Sequence, residues 1–403
     1  TNRLQKGPAY GEDIDARPAA DGRDSQWPTY RHDVGRSGST PVEVPSELDV
    51  LWRAEVGDGV TQPVVAGQNV MVADANTHGI VCLDAASGRT SWSYRTGGRV
   101  DSPPTIHAGM VLAGCADGRV YCLRLSDGKL LWSFLAAPDV TRAVAFGQPE
   151  SLWPIHGSVL VRDGTVYVAA GTSSFLDGGI VLYALEPETG RVLSRTRLRS
   201  PQADAPSPPP EEEQKSMARM IDQNKVDYKT FTQPDRSDAF SMHGARTDVL
   251  VAGPDAVYLR QVGFDENLQR VEEVRPHLFS TSSLLDGVEN HRSHWVLGTG
   301  DFSRLPVAYP WIANRRSGRR GWRLARPYGL LLTFDERTAW GAWRRYGKPG
   351  YRLFAMKKEQ GSGDDERSAD FQKFERGERP AMLWESIEKI RPRALVEAGG
   401  KLF

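Results

Sequence analysis

Polar residues precede several apolar segments in this sequence, and side chains of these types could bind a ligand. His156 and His243 are each followed by a glycine, and Asp101 is followed by Ser102. Carboxylate, imidazole and hydroxyl groups fix the orientation of a small ligand when they converge on one opening. The candidate ligand-binding residues are Gln62, Asp101, Ser102, His156, His243, His291 and Arg292.

A metal site is not expected from these residue types and spacings. His291 and His294 lie three positions apart, and strand residues at that spacing face opposite sides of a sheet. The acidic segment 265–267 lacks the spacing of a calcium-binding loop. The three cysteines are too few for a disulfide framework, and Cys82 and Cys122 occupy small-residue positions inside apolar runs.

The element that must position the candidates is a repeat with a period of about 40 residues. Residues 80–92 align without a gap with residues 120–132. Short, β-branched runs bounded by turn residues fill each unit, which is typical of strands. Such a unit cannot bury its own faces and must stack on copies of itself. The sequence therefore predicts an all-β fold, a β-propeller of four-stranded blades, with the candidate ligand residues around one mouth of its central channel.

Tryptophan recurs at one place in the repeat, at Trp52, Trp92 and Trp132. Gly88 and Gly128 precede the last two by four residues and fit hairpin turns that require a positive φ. Burying a large aromatic side chain removes roughly 150–250 Å² from water, so it suits the seam between neighbouring blades. We predict that these five residues form the blade seams.

The predicted propeller spans residues 48–403 and follows an extended lead-in at 1–47. Innermost strands are expected near residues 60, 100, 155, 243, 291 and 393, which makes five units and the start of a sixth. Val50–Arg53 is predicted to be an outer strand without partners, so an incomplete ring is expected. A low-complexity insertion at 200–240 and charged loops at 301–326 and 359–380 interrupt the repeats.

The repeat pattern Leu-Asp-Ala-x-(Ser/Thr)-Gly-(Arg/Lys)-x-x-Trp resembles the tryptophan-docking repeat of quinoprotein-type propellers, the PQQ-like repeat family. Residues 27–38 are similar to the lead-in that precedes the first blade in many bacterial members. The family contains dehydrogenases that use pyrroloquinoline quinone (PQQ) and non-enzymatic outer-membrane assembly proteins of the BamB type. The resemblance covers residues 27–194 and implies the fold together with a location in the periplasm or cell envelope.

Several function classes are disfavoured by composition and motifs. Lys+Arg and Asp+Glu both number 51, so no overall field favours nucleic acid. No apolar run reaches the roughly 20 residues of a membrane-spanning helix. The PQQ-dehydrogenase class needs a carboxylate base and a Ca²⁺ ion, and many members carry adjacent cysteines, a pair that this sequence lacks. We therefore expect no cofactor and a non-catalytic binding or scaffold propeller outside the cytoplasm, with its ligand or partner at the channel mouth.

Two alternatives remain open at this point. The first is a PQQ- and Ca²⁺-dependent dehydrogenase whose remaining site lies outside this segment. The second is a carbohydrate-recognition module, because Trp311 and Trp322 accompany a basic stretch at 315–326. A protein or carbohydrate partner is expected, and no nucleic acid.

Overall fold

The computed structural model describes residues 3–14, 26–174, 176–199, 247–260, 262–280, 295–298, 327–345, 349–358 and 382–403. Every regular element in these ranges is a strand, and no helix occurs in them. Most strands form four-stranded antiparallel sheets in chain order, one sheet to a blade. The predicted all-β propeller is confirmed.

Two strands precede the blades, β1 (Leu4–Lys6) and β2 (Ser39–Thr40). The first blade contains β3 (Val64–Ala66), β4 (Asn69–Asp74), β5 (Gly79–Asp84) and β6 (Thr90–Arg95). The second contains β7 (Thr105–His107), β8 (Met110–Gly114), β9 (Arg119–Arg124) and β10 (Leu130–Leu135), and β1 pairs with β10 as a fifth strand. A separate hairpin follows, formed by β11 (Arg142–Ala145) and β12 (Gln148–Ser151).

The third blade contains β13 (Leu160–Arg162), β14 (Thr165–Ala170), β15 (Ile180–Leu185) and β16 (Val192–Leu198). The fourth contains β17 (Leu250–Ala252), β18 (Val257–Leu259), β19 (Val262–Phe264) and β20 (Arg270–Val271). The fifth contains β21 (His277–Ser280), β22 (Trp295–Gly298) and β23 (Tyr328–Gly329). The sixth contains β24 (Leu331–Phe334), β25 (Thr338–Arg344), β26 (Tyr351–Lys357) and β27 (Met382–Glu388). A further three-stranded sheet joins β2 to β28 (Glu397–Ala398) and β29 (Lys401–Leu402).

The predicted count of five units and the start of a sixth is one unit short of this arrangement. The sequence predicts the fifth inner strand near residue 291, whereas the first described strand of that blade is β21. About 30 residues separate β22 from β23, so the 40-residue period is lost there. The insertions at 200–240, 301–326 and 359–380 lie outside the described residues.

The apolar core lies between adjacent blades. One cluster joins the first and second blades, another the second and third, and a third the third and fourth. A fourth cluster joins the fourth, fifth and sixth blades. This packing is what the repeat requires, because each sheet buries its faces only against its neighbours.

The predicted lead-in enters the ring instead of preceding it. Residues 27–40, here called the inner segment, hydrogen-bond to the channel-facing side of several innermost strands. These backbone bonds measure 2.7–3.1 Å and join Trp27 to Val65, Pro28 to Ile106, Val34 to Ala252, Ser37 to Phe334 and Gly38 to Glu397.

Arg36 fixes the inner segment to three blades. Its guanidinium is fully buried and donates to the carbonyl of Leu250 at 3.1 Å and to that of Val159 at 3.3 Å. It also donates to Thr29 Oγ1 at 2.5 Å, and that hydroxyl lies 2.9 Å from Thr105 Oγ1. Burial lowers the pKa of Arg36 to about 10, which still leaves it charged at neutral pH.

The N-terminal part of the chain also pairs with the C-terminal part, since β2 runs parallel to β28. The partner strand is therefore Ser39–Thr40 rather than the predicted outer strand Val50–Arg53, which forms no strand. Leu51 is 78% exposed, so this segment is extended over the surface instead of completing a sheet.

Candidate functional site

Two loops that lead into neighbouring innermost strands meet at one end of the ring. The loop before β7 carries Asp101 and Ser102, and the loop before β13 carries His156. Ser102 Oγ donates to the His156 carbonyl at 2.5 Å. Ser158 Oγ donates to the Pro103 carbonyl at 2.9 Å, which ties the same loops together. Three of the predicted ligand residues are thus brought together.

Four buried charged side chains form a closed cluster at this place, named here the mouth cluster. His156 Nδ1 lies 2.6 Å from Asp101 Oδ2, and His156 Nε2 lies 3.3 Å from Glu150 Oε1. Arg99 donates to Asp101 Oδ1 at 2.6 Å and to Glu150 Oε2 at 2.8 Å. When His156 is protonated, two cations balance two carboxylates, so the mouth cluster carries no net charge.

The ionisation of the mouth cluster follows from its own contacts. Burial alone lowers the pKa of His156, but hydrogen bonds and charges from Asp101 and Glu150 outweigh it and raise that pKa to about 10. Burial alone raises the pKa of Asp101, but hydrogen bonds from His156 and Arg99 hold it below its ordinary value. The charged forms of His156 and Asp101 therefore prevail at neutral pH, and each of the two has an internal partner.

Sequence reasoning missed two members of the mouth cluster, Arg99 and Glu150. Glu150 lies on β12, within the insertion between the second and third blades, so the repeat alignment offered no equivalent position for it. Arg99 stands two residues before Asp101, and side chains two apart on an extended segment point the same way. That spacing is a signal that could have found Arg99.

The other predicted ligand residues do not join the mouth cluster among the described residues. Gln62 is exposed in the loop before β3, and no hydrogen bond to its side chain is formed there. Gln62 lies two residues before the first innermost strand, which begins at Val64. His243, His291 and Arg292 lie outside the described residues.

The fourth blade places a different carboxylate at the same end of the ring. Asp248 is buried and accepts from the backbone N–H and the Oγ of Ser280, both at 2.9 Å. Its other oxygen accepts from the Val249 N–H at 2.8 Å. Asp248 therefore ties the fourth blade to the fifth instead of facing an open site.

The three repeat tryptophans lie against the turn of the following blade. Their indole N–H groups donate to the carbonyls of Ala85, Leu125 and Pro187, each at 2.8 Å, from Trp52, Trp92 and Trp132 respectively. A methyl carbon added to Gly88 would lie 2.5 Å from the Trp52 ring, and one added to Gly128 would lie 2.4 Å from the Trp92 ring. The third turn presents Gly190, which the sequence reading did not single out, to Trp132.

Ca²⁺, which the resemblance implies together with PQQ for part of the family, does not fit the described carboxylates. Ca²⁺ takes about six to eight oxygen ligands. The oxygens of Asp101 and Glu150 already accept from Arg99 and His156, and those of Asp248 accept from Ser280 and Val249. Three or more His, Cys, Asp or Glu side chains do not form a metal-binding group in the described ranges.

The three cysteines are free and buried. Burial raises the pKa of Cys82 to about 11, and it raises the pKa values of Cys115 and Cys122 as well. Reactive thiolates are therefore not formed at these positions at neutral pH. None of the described segments forms a long apolar helix of the kind that crosses a bilayer.

Comparison with protein families finds a match over residues 47–226 to the family described as outer membrane protein assembly factor BamB. The match covers the first three blades and ends in the segment that follows β16. The resemblance to PQQ-like propeller repeats is thereby confirmed.

Curated relatives include both enzymes and assembly factors. The dehydrogenase subunit of a quinone alcohol dehydrogenase from Komagataeibacter europaeus is 28% identical over 193 residues, which cover 43% of this chain and 25% of that protein. Outer membrane protein assembly factor BamB from Burkholderia pseudomallei is 26% identical over 168 residues, covering 42% of this chain and 40% of that protein. The chain thus matches about a quarter of the dehydrogenase subunit.

Among solved structures, quinohemoprotein alcohol dehydrogenase from Comamonas testosteroni superposes with a TM-score of 0.54 at 15% identity. The superposition covers 94% of this chain and 69% of that one. At this identity the likeness establishes the fold alone.

Proposed function

We propose that this chain, which belongs over residues 47–226 to the PQQ-like β-propeller repeat family, is a non-catalytic scaffold that binds a partner protein. The matched family is described as an outer membrane protein assembly factor, and we carry over to this chain a role in holding another protein. The same kinship supports a location in the periplasm or cell envelope.

The observation that carries the proposal is the closed mouth cluster. A dehydrogenase site needs a carboxylate free to take a proton from its substrate. Asp101 and Glu150 each accept from Arg99 and face His156, and all four residues are at most 8% exposed. Opening the cluster would leave buried charges unpaired, which costs about 3–5 kcal/mol. The cluster therefore supports a rigid surface better than a reacting centre.

The inner segment supports the same proposal. Residues 27–40 are hydrogen-bonded along the innermost strands, and Arg36 is fully buried among them. A cofactor in the channel would have to share that space. The carbohydrate alternative depends on Trp311 and Trp322, which lie outside the described residues.

Titration with PQQ and CaCl₂ tests the proposal. We expect no saturable change in quinone absorbance at micromolar PQQ and no reduction of an artificial dye when ethanol or glucose is added. Saturable binding together with substrate-dependent dye reduction would overturn the scaffold function.

A pair of matched variants identifies the residue responsible if dye reduction is seen. Asp101→Asn alters the mouth cluster, whereas Asp117→Asn alters another buried carboxylate, one that accepts from Tyr121 at 2.6 Å. Loss of dye reduction in Asp101→Asn alone would make the mouth cluster a catalytic site.

A further inference from the structure

The hairpin β11–β12 is held firmly on its inner face. Glu150 on β12 belongs to the mouth cluster, and Gln148 Oε1 lies 2.7 Å from His78 Nε2 of the first blade. The Phe146 ring at the turn lies 4.6 Å from the guanidinium carbon of Arg99. These contacts fix the hairpin before any partner arrives, which lowers the entropy cost of binding.

The outer face of the same hairpin is apolar and exposed. Val144 is 79% exposed and Val140 67%. Arg142 is exposed beside them and forms no ion pair with a described residue. Large apolar side chains grouped on a surface mark interaction sites more often than scattered ones do.

The backbone of β11 offers an open edge. In a hairpin closed by a two-residue turn, the pair next to the turn is hydrogen-bonded and the pairs alternate from there. Ala145 pairs with Gln148 next to the turn, so Arg142 and Val144 direct their N–H and C=O groups away from β12. Within the described part of the chain, no backbone group bonds to these outward groups.

The opposite edge of the hairpin is closed. Pro149 on β12 has no N–H to donate. The N–H of Ser151 donates to the Ala116 carbonyl at 2.8 Å. A strand can therefore be added to the hairpin along β11 and not along β12.

We infer that the β11 edge, residues 140–146, binds an extended segment of a partner protein by strand addition. Main-chain hydrogen bonds to Arg142 and Val144 supply affinity, and Val140 and Val144 receive alternate apolar side chains. The exposed guanidinium of Arg142 selects an acidic residue opposite it. The inference rests on the proposed scaffold function, since it names the kind of segment that the scaffold holds.

The test selects peptides on the intact protein. A phage-displayed library of random octapeptides is selected on the wild-type chain and counter-selected on Val144→Pro. This substitution removes one outward N–H and leaves the hydrogen-bonded pairs of the hairpin in place. We expect enriched peptides to alternate apolar residues and to carry an Asp or Glu between them.

Direct binding of an enriched peptide then separates backbone pairing from charge. Val144→Pro should weaken binding at least tenfold, while Val144→Thr, which keeps the N–H, should stay within about threefold. Arg142→Glu should weaken it at least tenfold, and a peptide with Lys in place of its acidic residue should bind that variant. Hydrogen exchange at the Val144 amide should slow when the peptide is bound.

Three results would overturn the inference. They are failure to enrich any sequence, binding of enriched peptides to Val144→Pro within twofold of wild type, and self-association of the wild-type chain that Val144→Pro abolishes. The last would make a second copy the occupant. None of these results involves PQQ, so failure here leaves the scaffold proposal to its own test.

Discussion

A tryptophan stands in the same register at two places, the junction between the second and third blades and the outer strand of the sixth blade. Only the tryptophan at the junction is fully buried. Trp132 pairs with Cys122 at a bulge of the second blade, and Trp384 pairs with Ala355 at the same kind of bulge in the sixth. Trp132 is fully buried against the Gly190 turn, whereas Trp384 is 41% exposed. Register brings a tryptophan to the outer strand, but its burial depends on what covers it, and Trp132 is covered by the Gly190 turn and by β1.

The outer strands of the two regions also differ, because one is paired with a further strand and the other is not. β10 is covered by β1, with Lys6 opposite Trp132, so β10 is not an edge strand of the second blade. β27 is the last strand of its sheet and exposes Leu383 and Ile387. The closed junction is therefore expected to hold much of the stability, and the sixth-blade edge little of it.

The first and largest effect is expected from Trp132→Ala. Removing a fully buried indole leaves a cavity between two blades and the Pro187 carbonyl without its donor, which should cost about 3–5 kcal/mol. The midpoint of urea unfolding, followed by circular dichroism, measures the loss. A loss below about 1 kcal/mol would show that the junction is not a main source of stability.

The mouth cluster lies at the same junction, and the pH dependence of the free energy of unfolding tests its contribution to stability. Folding raises the pKa of His156 from about 6.5 to about 10, so its contribution is complete below pH 6.5 and is lost as the pH rises towards 10. The free energy of unfolding should fall on the order of 3 kcal/mol between pH 7 and pH 10. His156→Gln should remove most of that slope, and an unchanged slope would contradict the assigned ion pairs.

Gly190→Ala is measured against a matched control, and the difference between the two variants should be smaller than either effect above. Its φ is +68°, and an added methyl carbon would lie 2.8 Å from both the Trp132 ring and Leu4 Cδ1. Gly164→Ala is the matched control, because its φ is +72° and the space around it is open. Both share a backbone strain of about 1–2 kcal/mol, and Gly190→Ala should cost about 1–3 kcal/mol more. Equal unfolding midpoints would mean that the ring does not press on the turn.

The sequence predicted the repeat and the sheet type because these depend on local periodicity. Gly88, Gly128 and the three tryptophans recur at fixed spacing, and the strand-forming runs between them are short and β-branched. The unit count was missed where the period is broken between β22 and β23. A period cannot be read across insertions of irregular length.

The candidate site was predicted only in part, for a physical reason. Asp101, Ser102 and His156 occupy equivalent places in successive units, so alignment found them. Glu150 comes from an insertion, and its contact with Arg99 spans 51 residues of sequence. The role of residues 27–40 inside the ring depends on long-range bonds such as that from Arg36 to Leu250, which no local pattern encodes.

The smallest effect is expected from Trp384→Ala, and it bears most directly on the comparison. The indole is 41% exposed and its strand neighbours Leu383 and Ile387 are exposed as well, so its removal leaves no closed cavity. The free energy of unfolding should change by no more than about 0.5 kcal/mol, as at ordinary surface positions. Trp132→Ala in the same assay supplies the contrast, since the two residues share a register and differ in the turn that covers them. A loss of unfolding free energy above about 2 kcal/mol in Trp384→Ala would mean that this side chain is covered as well. Register alone would then predict which tryptophans are buried.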